Sequence, residues 1–113
     1  MAQLARYYGI PSRGTGGNTE ALDPDYQAGA ESTSTLLLSA LAGFDFIYDV
    51  AGSLESSLTA SYAKLLLDDD LAGAVRRVLS GIEVTEETLA TEVIEAAGLQ
   101  GSYLGHPHTR SHF

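Results

Sequence analysis

The residues with the most chemistry to offer are Gln27, Glu31, Tyr48 and Asp49, together with Tyr26 and the glycine-rich stretch Gly14-Thr15-Gly16-Gly17. Aromatic faces combined with carboxylates suit a quaternary or tertiary ammonium ion, because the cation is drawn to the negative face of a ring and to anionic oxygens. Gly16 and Gly17 let the backbone turn tightly or approach a ligand closely. The same residues have a plain structural reading, with Tyr48 in the core and Glu31 serving a structural neighbour. Spacing leaves both readings open.

These residues need elements to position them. Arg6 to Ile10 reads as the end of a strand, since Tyr7 and Tyr8 favour extended backbone. A long polar loop follows from Pro11 to Leu22, a length that is usually functional or mobile. Asp23 is the expected cap, and Pro24 the first position, of a helix running to Ala42. Leu36, Leu37, Ala40 and Leu41 repeat at helical spacing, and Gly43 stops the helix. Phe44 to Val50 alternates as a strand does, which places Tyr48 and Asp49 near its carboxyl end.

Leu58 to Leu79 is helical, with Asp68-Asp69-Asp70 expected to mark a break and a solvated turn. Thr85 caps a third helix over Glu86 to Ala97, closed by Gly98. The tail from Gly101 to Phe113 reads as a loop carrying all three histidines. The order strand, helix, strand, helix, helix is a piece of an α/β architecture. In parallel sheets of that class, ligands bind beyond the carboxyl ends of the strands. The glycine loop, Tyr48 and Asp49 all fall on that end.

Composition narrows the partners. The chain has 113 residues and a formal net charge of -9. That charge argues against nucleic acid and against anionic membrane surfaces, and agrees with a cationic small molecule or a basic partner. The sequence has no cysteine, which removes disulfides, thiolate nucleophiles and cysteine-ligated zinc. No apolar run is long enough to cross a membrane, the start lacks a signal-peptide core, and a cytoplasmic location is the default expectation. His106, His108 and His112 have the chemistry of metal ligands. Pro107 argues against helical spacing between them, so a loop is expected and no metal site is assigned. Neither a Walker loop nor a nucleophile elbow is present.

Several segments taken in order resemble the trimethylamine methyltransferase family. They are Gly16-Gly17 followed by Asp25-x-Gln27-Ala28-Gly29-x-Glu31, then Ile47-Tyr48, Ala51-Gly52 and Leu54-Glu55. Thr59 to Leu65, Asp68-Asp69-Asp70, Gly81-Ile82 with Glu86 to Ala90, and Tyr103 to Thr109 continue the pattern. The resemblance implies that residues 1–113 are a single segment from the later part of a (β/α)8 TIM barrel. Two to three strands and three to four helices are expected, completed by oligomerisation. It implies methyl transfer from a methylated amine to the Co(I) corrinoid of a partner protein, with no cofactor held by this chain itself. Glu31 and Asp49 would be the catalytic carboxylates, while Gly16, Gly17, Gln27 and Tyr48 would bind substrate. Some family members contain pyrrolysine and others, such as those acting on glycine betaine, do not. The amine therefore stays open.

Family members are several times longer. This leads to the expectation of an excised or truncated piece with little activity alone. A second reading of a different class is a non-catalytic α/β module that self-associates, because two strands leave edges and apolar helix stripes seeking partners.

Overall fold

A computed structural model describes residues 1–112. Phe113, the last residue of the expected tail, lies outside them. The chain forms two compact units, Met1–Gly81 and a second beginning at Ile82.

The first unit opens with helix α1 (Ala2–Tyr8), where the tyrosines suggest a strand. The physical reason is burial. Ala2 and Ala5 are packed on one helical face, while Tyr7 and Tyr8 project into solvent, so their β preference decides nothing. The left-handed Gly9 then ends the helix, and Arg6 donates from Nη2 to the carbonyl of Ala42 at 2.7 Å.

Strand β1 (Arg13–Thr15), helix α2 (Tyr26–Ala42) and strand β2 (Phe46–Tyr48) follow. The strands are parallel, with Arg13 opposite Phe46, Gly14 opposite Ile47 and Thr15 opposite Tyr48. The helix and the strand after it are as expected, but the strand expected at Arg6 to Ile10 is absent there, β1 lies inside the stretch expected to be loop, and β2 keeps only the centre of Phe44 to Val50. The cap of α2 is Asp25, not Asp23. Its carboxylate accepts from the amide of Ala28 at 2.9 Å, and Pro24 precedes the helix. Gly43 ends α2 in the left-handed region, as expected.

Strands β3 (Ser53–Leu54) and β4 (Thr59–Ala60) form an antiparallel pair around a tight turn, Glu55–Ser57. Helix α3 (Tyr62–Leu79) begins at Ser61, whose hydroxyl accepts from the amide of Lys64 at 3.2 Å. It runs through Asp68-Asp69-Asp70 without the expected break. Asp68 is buried and paired with Lys64 one turn earlier, so the triplet is not a solvated turn. A small core of Ala21, Ala28 and Leu54 sits between the loop after β1, α2 and the β3 strand.

In the second unit, Thr85 and Thr88 form a reciprocal capping box at the start of helix α4 (Glu86–Leu89). The expected single helix is interrupted at Ala90, which is left-handed with φ 52°, and resumes as α5 (Thr91–Ala97), closed by Gly98. The tail is only partly the expected loop. It forms helix α6 (Pro107–Ser111), with proline at the helix start, where its missing N–H costs no bond.

The described residues thus hold six helices and four short strands in two separate two-stranded sheets, more elements than the sequence suggests. None of the helices is long and apolar enough to cross a membrane.

Candidate active site at the strand ends

Because β1 and β2 are parallel and in register, the chain leaves both strands at one edge. Gly16 follows β1 and Asp49 follows β2, and the amide of Gly16 donates to the carbonyl of Tyr48 at 3.3 Å. A Cβ on Gly16 would lie 3.0 Å from both Ile47 Cγ2 and the Leu36 backbone. Gly17 is more constrained still. Its φ is +82°, and a Cβ would stand 2.2 Å from the carbonyl oxygen of Val50. Only glycine lets the loop after β1 press against the loop after β2.

That contact brings two carboxylate clusters to the same edge. Asn18 donates from Nδ2 to Asp49 Oδ2 at 2.8 Å, and the hydroxyl of Ser57 donates to the same oxygen. Asp49 has a φ of 61°, and Glu55, Ser56 and Ser57 are also left-handed at 50°, 54° and 71°. Non-glycine residues adopt this backbone at a cost of about 1–2 kcal/mol each, so the surrounding bonds must hold it.

Glu31, on the first turns of α2, is the second cluster. Its Oε2 accepts from the Thr19 hydroxyl at 2.7 Å and from the Glu20 amide at 2.8 Å, and its Oε1 accepts from Gln27 Nε2 at 3.0 Å. These donors, Thr19 foremost, hold the Glu31 carboxyl below its ordinary value of 4.5. It is therefore an anion at neutral pH. Thr15, Asn18, Thr19, Glu31, Thr35 and Ser56 line a cleft of about 560 Å³ at this edge.

The structure therefore gathers Gly16, Gly17, Gln27, Glu31 and Asp49. Tyr48 is placed differently. Its ring lies beneath the guanidinium of Arg13, 4.0 Å from carbon to centroid, so one face already carries a cation. Tyr26, at the start of α2, is 90 % exposed.

Four groups escape a reading by residue type. Asn18, Thr19 and Ser57 are ordinary polar loop residues whose partners are distant in sequence. Lys64–Asp68 is the fourth, and its i, i+4 spacing was a usable signal. The pair is 2.5 Å apart and almost wholly buried. Lys64 Nζ also donates to Ser32 Oγ at 2.9 Å, Ser32 Oγ donates to the Gly17 carbonyl at 2.9 Å, and Asp68 Oδ2 accepts from the Gly52 amide at 2.8 Å.

At the other end of the strands, the backbone amide and the hydroxyl of Ser12 hold the Asp45 carboxyl below its ordinary value of 3.8. In the second unit, the rings of His108 and His112 stack with centroids 4.3 Å apart. His106 accepts from the His108 amide through Nδ1. Among the described residues, no three His, Asp or Glu groups converge as a metal site requires.

The sequence model described as trimethylamine methyltransferase matches residues 1–113. The chain belongs to the trimethylamine methyltransferase family. It is similar to the trimethylamine methyltransferase MttB of Desulfitobacterium hafniense, with 43 % identity over 99 % of this chain and 22 % of that relative. MttB of Methanosarcina barkeri shares 44 % identity over 97 % of the chain and 22 % of its own length. A glycine betaine methyltransferase of Desulfitobacterium hafniense shares 41 % over 96 % of the chain and 23 % of its own length. The chain thus spans between a fifth and a quarter of the length of these relatives. Within this methyltransferase family member, the two carboxylates and the cleft occupy the carboxyl edge of a parallel strand pair.

Proposed function

We propose that this segment contributes part of the amine site of a methyltransferase, one that moves a methyl group from a methylated amine to the Co(I) corrinoid of a partner protein. The supporting observation is the acidic, hydroxyl-lined cleft at the shared carboxyl edge of β1 and β2, on a chain of this family. The remaining strands of a (β/α)8 barrel would come from the rest of the polypeptide.

The corrinoid is the methyl acceptor and enters as a substrate; it supplies a two-electron cobalt nucleophile. The N–CH3 bond breaks, the methyl passes to cobalt, and nitrogen keeps the bonding pair. A quaternary amine leaves as a neutral tertiary amine with no proton needed. Protonated trimethylamine leaves as dimethylamine. In either case the methylated nitrogen carries a positive charge. Glu31, held ionised by three hydrogen bonds, acts as a fixed counter-charge and not as a proton donor. Asp49 holds a second negative charge on the neighbouring loop, and Gln27 fixes the orientation of Glu31. Positioning of this kind lowers the barrier by presenting the methyl group in line with the acceptor.

Tyr48 ends β2 at the same edge, and the ring face not covered by Arg13 is the one this reading assigns to the cation. In the complete polypeptide carrying this segment, Tyr48→Ala is expected to weaken binding of trimethylamine or glycine betaine by about 0.5–2 kcal/mol. Calorimetric titration reads this directly, and unchanged affinity removes Tyr48 from the site. Absence of methyl transfer from both amines to cob(I)alamin in the unmodified protein would overturn the functional reading itself.

A further inference from the structure

We infer that the buried Lys64–Asp68 pair is a positioning element of the amine site, acting on the two loops that carry Asn18 and Asp49. The inference rests on the methyltransferase reading above.

Lys64 and Asp68 are 2 % and 3 % exposed. An ion pair at such depth loses most of the hydration of both charges, and an apolar pair of similar volume is often as stable or more so. Stability alone is therefore a weak reason for these residues. Their bonds show what they accomplish beyond packing. Lys64 reaches the loop after β1 through one intermediary, since it donates to Ser32 Oγ and that hydroxyl in turn donates a hydrogen bond to the Gly17 carbonyl. Asp68 reaches the loop after β2 directly, through the Gly52 amide. One turn of α3 thus holds main-chain atoms of both loops.

Those atoms adjoin the site residues. Gly17 precedes Asn18, whose side chain bonds to Asp49, and the Gly17 amide is itself held by Thr35 Oγ1 at 3.1 Å. Gly52 closes the loop that starts at Asp49, and its carbonyl accepts from the Ser61 amide at 2.8 Å. With both polar groups of Gly17 and of Gly52 engaged, the loops cannot slide past each other without breaking the buried chain. Ser32, 1 % exposed, is the link between them, and its hydroxyl fixes the direction of the chain from Lys64 to Gly17.

The test uses the complete polypeptide carrying this segment. Ser32→Ala removes the link to Gly17 and leaves the ion pair intact. The expected result is a fall in kcat of about tenfold or more at saturating trimethylamine or glycine betaine with cob(I)alamin as acceptor, because misplacement near the reacting group acts on rate. KM should change much less. Amide hydrogen exchange should accelerate in the loop around Gly17 and Asn18 while the rest of α2 and α3 keeps its protection. Unchanged kcat and unchanged loop exchange overturn the inference. A uniform loss of protection with kcat preserved also overturns it, since that is a core-packing effect. If Ser32→Ala does not fold, Lys64→Met combined with Asp68→Leu is read in the same way. The exchange readout does not depend on activity, so an inactive parent would count against the functional reading and not be confused with failure at these loops.

Discussion

At the level of single residues, Glu31 shows how local bonds set a charge. Its carboxylate gains three donors on folding, and its folded pKa lies below the ordinary 4.5. The unfolded chain therefore takes up the proton first as acid is added. The contribution is present above pH 4.5 and is lost as pH falls through the lowered folded value. Thermal unfolding of the parent and of Glu31→Gln should show a gap at neutral pH that closes in acid below that point. A gap that widens in acid would contradict the assigned hydrogen bonds. Gln27 and Glu31 stand one helical turn apart, so their pairing was legible from i, i+4 spacing. Thr19 and the Glu20 amide were not, because a loop that folds back across α2 brings them in.

At the level of elements, α3 and the α4–α5 junction make opposite demands. Lys64 in α3 pairs with a carboxylate that is only 3 % exposed. Lys64→Ala leaves Asp68 buried and unpaired, and should destabilise the first unit by about 3–5 kcal/mol; denaturant unfolding measures it. At Ala90, by contrast, a side chain occupies a left-handed backbone position between two helices. Ala90→Gly relieves a strain of about 1–2 kcal/mol, partly offset by about 0.5–1 kcal/mol of extra chain entropy in the unfolded state. The net gain should appear as slower hydrogen exchange in α4 and α5. The capping box at Thr85 and the stop at Gly98 follow from residue type. The break at Ala90 does not, because alanine is an ordinary helix interior residue.

On the scale of the whole chain, apolar exposure is the dominant property. Leu66 is 75 %, Tyr62 90 % and Ile82 85 % exposed, and both two-stranded sheets have open edges. Parallel strands ordinarily have both faces covered. The 113-residue chain alone is therefore expected to self-associate, with a mass by light scattering that rises with protein concentration. A concentration-independent monomer with a cooperative thermal transition would show that this chain is self-sufficient. The same surface is the footing for the alternative reading as a self-association module, and the methyl-transfer assay on the complete polypeptide separates the two.

The amino-acid sequence by itself determined the family, the helix ending at Gly43 with the strand that follows it, the glycine stops and the carboxylates worth attention. These depend on residue type and on short spacings, which local physics reads well. Tertiary structure alone decided that Tyr7 and Tyr8 are helical, that Asp68 is buried, and that Gly17, Asn18 and Asp49 meet. Each of these turns on partners brought in from elsewhere in the chain or on which face finds cover, and tertiary contact outweighs local preference whenever burial is at stake.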